Sequence, residues 1–118
     1  LAFAVRGVTS ILMTEEGPLS VRATVDAGVA RVTLQGELDL DRAAAVADEL
    51  SGLLDGGVTA VIVDVGGLSF LDSSGLRALL TAREKLDDGG ATLQLANLSP
   101  AVERVLDMTG TRALLTDG

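Results

Sequence analysis

The stretch TAVIVDVGGLSFLDSSGLRALLTAREKL, residues 59–86, changes its hydrophobic period in the middle, and that change decides the fold. Its first seven residues are nearly continuous and rich in β-branched side chains, the pattern of a strand with both faces covered. Leu76, Leu79, Leu80, Arg83 and Leu86 then recur at three- and four-residue steps, which is helical spacing, until "DDGG" at 87–90 supplies a stop. "GGLSF" joins the two halves. The segment "FLDSSGL", residues 70–76, therefore places Asp72, Ser73 and Ser74 at a helix N-terminus beyond the carboxyl end of a strand, where α/β sheets carry their sites.

Working outward, "ATLQLAN" reads as another strand, and "SPAVERVLDMTG" as a helix with Ser99 as cap, Pro100 at its first position and Gly110 as its stop. Met108 falls near the apolar stripe of that helix and is expected in the core. "RALLT" is read as a final short strand. Upstream, "LSVRATV" and "VARVTLQG" alternate apolar and polar residues about "DAG", which predicts a hairpin. Leu40, Ala43, Ala44, Ala47, Leu50, Leu53 and Leu54 fall at helical spacing before "DGG" at 55–57. The order strand, strand, helix, strand, helix, strand, helix, strand implies parallel pairing through right-handed crossovers after an antiparallel hairpin. The fold class is α/β, one small domain with a mixed sheet of about five strands and about three helices.

The domain is expected over residues 19–118, with residues 1–18 as an N-terminal extension, either a non-native remnant or an added strand, ending in the polar linker "TEEGP". The apolar opening "LAFAVRGVTSILM" is shorter than the ~20 residues of a membrane span. It also lacks a signal-peptide cleavage pattern.

Composition narrows the chemistry. A chain of 118 residues, 47% hydrophobic, buries one core. It contains no Cys and no His, which excludes thiol nucleophiles, disulfides, imidazole ligands and a Ser-His-Asp triad within the chain. A net charge of −8, with two Phe and neither Tyr nor Trp, is the opposite of a nucleic-acid-binding surface and suits a basic protein partner.

Three chemistries compete for the hydroxyls at 73 and 74. Asp72 or a serine can cap the helix by accepting a backbone N–H. A nucleophile elbow requires Gly-x-Ser-x-Gly and an activating base, and a P-loop requires Gly-Lys-Ser/Thr; neither pattern is present, so a small hydrolase or nucleotide-binding protein is disfavoured. Alternatively, a separate kinase phosphorylates a serine, adding ~1.5 to 2 negative charges that the helix dipole tolerates and Asp72 opposes. Such a dianion on a docking surface breaks an interface more readily than it disturbs a core.

"GELD" at 36–39, "LSFLDSSGL" at 68–76 and "LSPAVERVLDMTG" at 98–110, in this order and spacing, resemble the STAS domain of bacterial anti-sigma factor antagonists over roughly Leu19 to Thr116. The resemblance implies a mixed sheet with helices packed largely on one side. It also implies a cytoplasmic, non-enzymatic partner-switching protein that needs no cofactor or metal and contacts neither nucleic acid nor membrane. Unphosphorylated, such a protein binds an anti-sigma factor that is also a serine kinase, and so releases the sigma factor. ATP-dependent phosphorylation of the serine after the motif aspartate, here Ser73, switches it off, and a metal-dependent serine phosphatase restores it. By the same resemblance Asp72 and Asp39 belong to the partner-contact surface and Ser74 neighbours the phosphoacceptor; with Gly75, Leu76 and Arg77, which adjoin the motif, they make up the expected partner-binding set.

Asp39 and Asp41 also suit the cap and dipole of the first helix, and Gly36 and Gly75 suit backbone devices at a strand end and a close approach. Arg77 is placed either to pair with Asp72 or to meet the partner. A STAS module of a stress-signalling scaffold or of a transporter assembly is the nearest alternative.

Overall fold

The computed structural model describes residues 2–5, 8–14 and 17–116, with side chains from Gly17 to Thr116. Residues Glu15 and Glu16 of the expected linker lie outside the described residues, as do Asp117 and Gly118 of the expected domain. Among the described residues one sheet runs in chain order: β1 (Ala2–Val5), β2 (Val8–Thr14), β3 (Leu19–Asp26), β4 (Val29–Leu38), β5 (Ala60–Leu71) and β6 (Thr92–Ala96). Pairing is antiparallel from β1 to β4 and parallel from β4 to β6. Helix α1 (Leu40–Ser51), continued by a 3-10 turn at Gly52–Gly56, connects β4 to β5, and α2 (Ser73–Asp88) connects β5 to β6. Two further helices, α3 (Pro100–Thr109) and α4 (Arg112–Thr116), follow β6.

The β3–β4 hairpin closes with the two-residue loop Ala27–Gly28, both at positive φ (51° and 81°). Positive φ at both positions matches the right-handed twist of the flanking strands, the I′ pattern. Register then carries alternate residues to one face: Val21 opposite Leu34, Ala23 opposite Val32, Val32 beside Val63 and Val63 beside Leu95. All of these are buried. They form a single cluster with Val46 and Leu50 of α1, Leu79 and Leu86 of α2, Val102 and Leu106 of α3, and Leu115 of α4. The opposite face carries Arg22, Thr33, Asp64 and Gln94, each exposed or half-exposed. The mixed sheet and the helices flanking its parallel pairs follow the expected order.

Four expectations are corrected. "RALLT" is a helix rather than a strand: Gly110 turns the chain at φ 70°, and Arg112 reaches back to Glu103 (2.8 Å) and Asp107 (3.0 Å) of α3 while Leu115 is fully buried. Met108 is 79% exposed, because it lies ~200° around the helix from the buried Leu106. Leu40 is 72% exposed, although helical spacing assigned it to the apolar stripe. The middle strand has one buried face and one half-buried face, and it runs to Leu71 instead of stopping before "GGLSF".

That extension sets up the site. Between Val29↔Ala60 and Leu38↔Leu71, β5 uses two more residues than β4, inserted at register shifts opposite Thr33/Gln35 and Gly36/Glu37. Each bulge reverses the alternation, so Val61, Val63, Val65, Leu68 and Leu71 all reach the core. The Asp64 carboxylate closes the first bulge by accepting from the Gly66 N–H (2.9 Å) and from Asn97 Nδ2 (2.9 Å). At the second, the Ser69 hydroxyl donates to the Gly36 carbonyl (3.2 Å).

Candidate functional site

Leu38 and Leu71 end neighbouring parallel strands in register, and the Asp72 N–H donates to the Leu38 carbonyl at 3.4 Å. The residues that follow, Asp39 and Asp72, therefore stand side by side at the carboxyl edge of the sheet. Both are in extended conformation and both cap a helix. Asp39 Oδ1 accepts from the Asp41 N–H (3.1 Å), and Asp72 Oδ1 accepts from the Gly75 N–H (2.8 Å). Each bond satisfies one orphan donor of a first helical turn. The aspartates, and not the serines, are the caps.

Gly75 makes this approach possible. A Cβ there would stand 2.6 Å from Leu71 Cδ1 and 2.7 Å from the Leu38 carbonyl oxygen, too close for any side chain. Gly36 (φ 105°) performs a similar service at the other side of β4, where a Cβ would collide with the Pro18 carbonyl. Both glycines are thus the backbone devices expected from the sequence.

Ser73 is the first residue of α2 and is exposed, while Ser74 is half-exposed. Among the described residues neither hydroxyl has a hydrogen-bond partner, so no base activates either one as a nucleophile. The arrangement leaves Ser73 Oγ accessible to a group brought by another molecule. Of the other residues expected to meet a partner, Arg77 is exposed, whereas Gly75 and Leu76 are buried and shape the surface from beneath. Arg77 forms no ion pair with Asp72, and among the described residues it has no other.

Helices α1 and α2 touch through Ala43, Ala47 and Ala78, all buried. Above this contact runs an open groove of about 490 Å³, lined by Leu40, Asp48, Ser73, Ser74, Arg77 and Lys85 among others. It runs from the two helix starts, at Leu40 and Ser73, along the helices to Asp48 and Lys85. Phe70, 46% exposed and paired with Glu37, precedes Leu71 and Asp72 on the same edge. Leu40 and Phe70 are thus exposed apolar side chains next to the two caps, and sequence reasoning missed both as surface features. For Leu40 a signal existed, since it directly follows the cap Asp39 and begins the helix before its buried stripe.

A profile of the STAS domain family matches residues 20–116. The putative anti-sigma factor antagonist BtrV of Bordetella bronchiseptica is 31% identical over 83 residues, covering 70% of this chain and 72% of that protein. Among solved structures, an anti-sigma factor antagonist from Mycobacterium paratuberculosis superposes with a TM-score of 0.71 at 25% identity, covering 82% of each chain. The anti-sigma factor antagonist SpoIIAA in its unphosphorylated form also gives 0.71, at 26% identity over 81% of this chain and 85% of that one. Its phosphorylated form gives 0.63 at 28% identity, covering 76% and 83%.

Proposed function

Because the chain belongs to the STAS domain family, we propose that it is an anti-sigma factor antagonist whose partner choice is switched by phosphorylation of Ser73. The observation that carries this reading is the position of Ser73: exposed, its hydroxyl unengaged, directly after the cap Asp72 and beside the second cap Asp39. Relatives and solved neighbours named as anti-sigma factor antagonists support the same reading. Residues 19–118 are the STAS unit in this proposal, with residues 1–18 an extension that adds strands at the β3 edge.

In the unphosphorylated state the starts of α1 and α2 present Asp39, Asp72, Ser74 and Arg77 to an anti-sigma factor, over a floor formed by Gly75 and Leu76. The bound anti-sigma factor releases its sigma factor. That partner is also a serine kinase: the γ-phosphoryl of its ATP bonds to Ser73 Oγ, ADP leaves, and the hydroxyl proton passes to the kinase or solvent. A serine phosphatase reverses the change. The chain itself acts as the substrate of these enzymes and contributes no catalysis.

Phosphorylation suits this place for two reasons. The first-turn N–H groups of Ser73 and Ser74 point out of the helix end, and the macrodipole favours negative charge there, so the fold persists. A partner docked on the same edge meets a dianion next to the Asp72 carboxylate, and desolvating that pair opposes binding. The cytoplasm is the compartment this reading assigns. No helix among the described residues is long and apolar enough to cross a membrane.

Incubation with the cognate anti-sigma kinase and ATP should add one phosphate, located on Ser73 by mass spectrometry, and none to Ser73→Ala. Phosphate on Ser74 with Ser73 unmodified would overturn the residue assignment. Calorimetry should show Ser73→Asp binding the kinase more weakly than wild type at an unchanged Tm; equal affinity would remove the switch.

A further inference from the structure

We infer that Arg77 is the internal counter-ion of phosphorylated Ser73, so that modification withdraws a cation from the docking edge in the same event that adds a dianion. This inference rests on the reading of Ser73 as the phosphoacceptor. Ser73 and Arg77 are both exposed, are four residues apart on α2, and line the same groove. Residues at i and i+4 of a helix are surface neighbours, with Cβ atoms roughly 5–6 Å apart. The order matters as well. Helical side chains lean toward the N-terminus, so Arg77 lies over the turn that begins with Ser73, and an anion N-terminal to its cation is the favourable arrangement.

Among the described residues of the unmodified protein Arg77 has no acceptor of its own. Among the described residues it makes no ion pair, and the nearest carboxylate in sequence, Asp72, already accepts the Gly75 N–H through Oδ1. A phosphoryl group on Ser73 Oγ would offer three acceptor oxygens. Guanidinium binds such a group through two parallel N–H···O bonds, a geometry that a lysine ammonium does not reproduce. The other charged groups about the groove are Asp48 on α1 and Lys85 near the end of α2, with Asp39 and Asp41 at the start of α1 and Asp72 at the start of α2. Lys85 is twelve residues from Ser73, more than three helical turns, which leaves Arg77 as the groove-lining cation within one turn.

Two contacts are then lost to a partner when the chain is phosphorylated: the approach to the serine edge, now anionic, and the Arg77 guanidinium, now occupied. A partner that reads Arg77 through a carboxylate would be released by both effects at once.

The test installs phosphoserine at position 73 during translation of the full chain, so it does not depend on any kinase. The ³¹P NMR signal is followed through its second ionisation, which for free phosphoserine lies near pH ~6. The titration midpoint in wild type should lie ~0.15 to 0.4 units below that of Arg77→Gln, and the difference should shrink in ~1 M salt. Arg77→Lys should recover part of it. Midpoints that agree within ~0.1 unit at low salt, or a difference that salt leaves unchanged, overturn the pairing. Failure of the cognate kinase to modify Ser73 in the native chain would instead remove the phosphoacceptor reading and leave this measurement standing.

Discussion

Glu49 shows what a single residue can do against the fold it belongs to. Among the described residues its Oε2 is buried without a hydrogen-bond partner, and burial pushes the carboxyl above its ordinary 4.5, while the Arg42 charge pulls it partly back. A carboxyl whose folded pKa is raised binds its proton more readily in the folded state than in the unfolded one. Stability is therefore lost as pH rises from the unfolded value through the folded one, and the loss persists at neutrality. Glu49→Gln should raise Tm at about pH 7 and change it little at about pH 3.5, where the native carboxyl is already protonated. Gly75→Ala should act in the other direction. Its Cβ would overlap Leu71 and the Leu38 carbonyl, so a loss of ~1 to 3 kcal/mol in denaturant unfolding is expected, together with slower phosphorylation as the start of α2 shifts. At this scale the sequence was readable where chemistry is local. Asp39, Asp72 and Ser99 announce helix starts by residue type, and all three cap. It was less readable where a small rotation decides exposure, as for Leu40 and Met108, because spacing alone does not fix which way a helix faces.

At the level of elements, β5 explains both the success and the error of reading residues 59–86. Its core residues follow a two-residue period as far as Val65 and a three-residue step after it, because each bulge consumes one residue. A period of three is foreign to a strand pattern, so "GGLSF" reads as a joint although its backbone remains paired. "RALLT" failed for a related reason: five residues are too few to display any period, and the contacts that mark it lie outside the segment, with Leu115 buried in the core and Arg112 reaching back to Glu103 and Asp107. The hairpin, by contrast, was legible from alternation and "DAG" alone. Its loop still contains a strained position, since Ala27 adopts φ 51° where Asn is better suited. Ala27→Asn should stabilise the protein by roughly 0.5–1 kcal/mol in chemical denaturation. Asp72→Ala should destabilise it by ~1 kcal/mol through loss of the cap on α2, with α1 retained.

For the whole molecule, the order of elements dictated a mixed sheet, and the sheet placed two helix starts at one edge. What the order alone did not convey is that β4 and β5 end in exact mutual register despite their unequal lengths, the feature that sets Asp39 beside Asp72. The net charge of −8 acts at the same scale, as a field that would steer a partner of opposite charge. The association rate with the anti-sigma factor should fall as salt rises from about 0.05 to 0.5 M, with the dissociation rate much less affected, in stopped-flow measurements. The paired bulges also determine which length changes the strand can inherit. Losing the extra residue of one bulge, near Gly66–Gly67, would leave Leu68 opposite Gly36 and keep Leu71 in the core beside Leu38. Losing one residue at each bulge would likewise keep Leu38 beside Leu71 and leave both helices starting together. Viable descendants of this chain should therefore shed β5 residues at the two bulges, whereas single deletions between Val61 and Asp64, where the strands pair residue for residue, disappear from any population selected for folding.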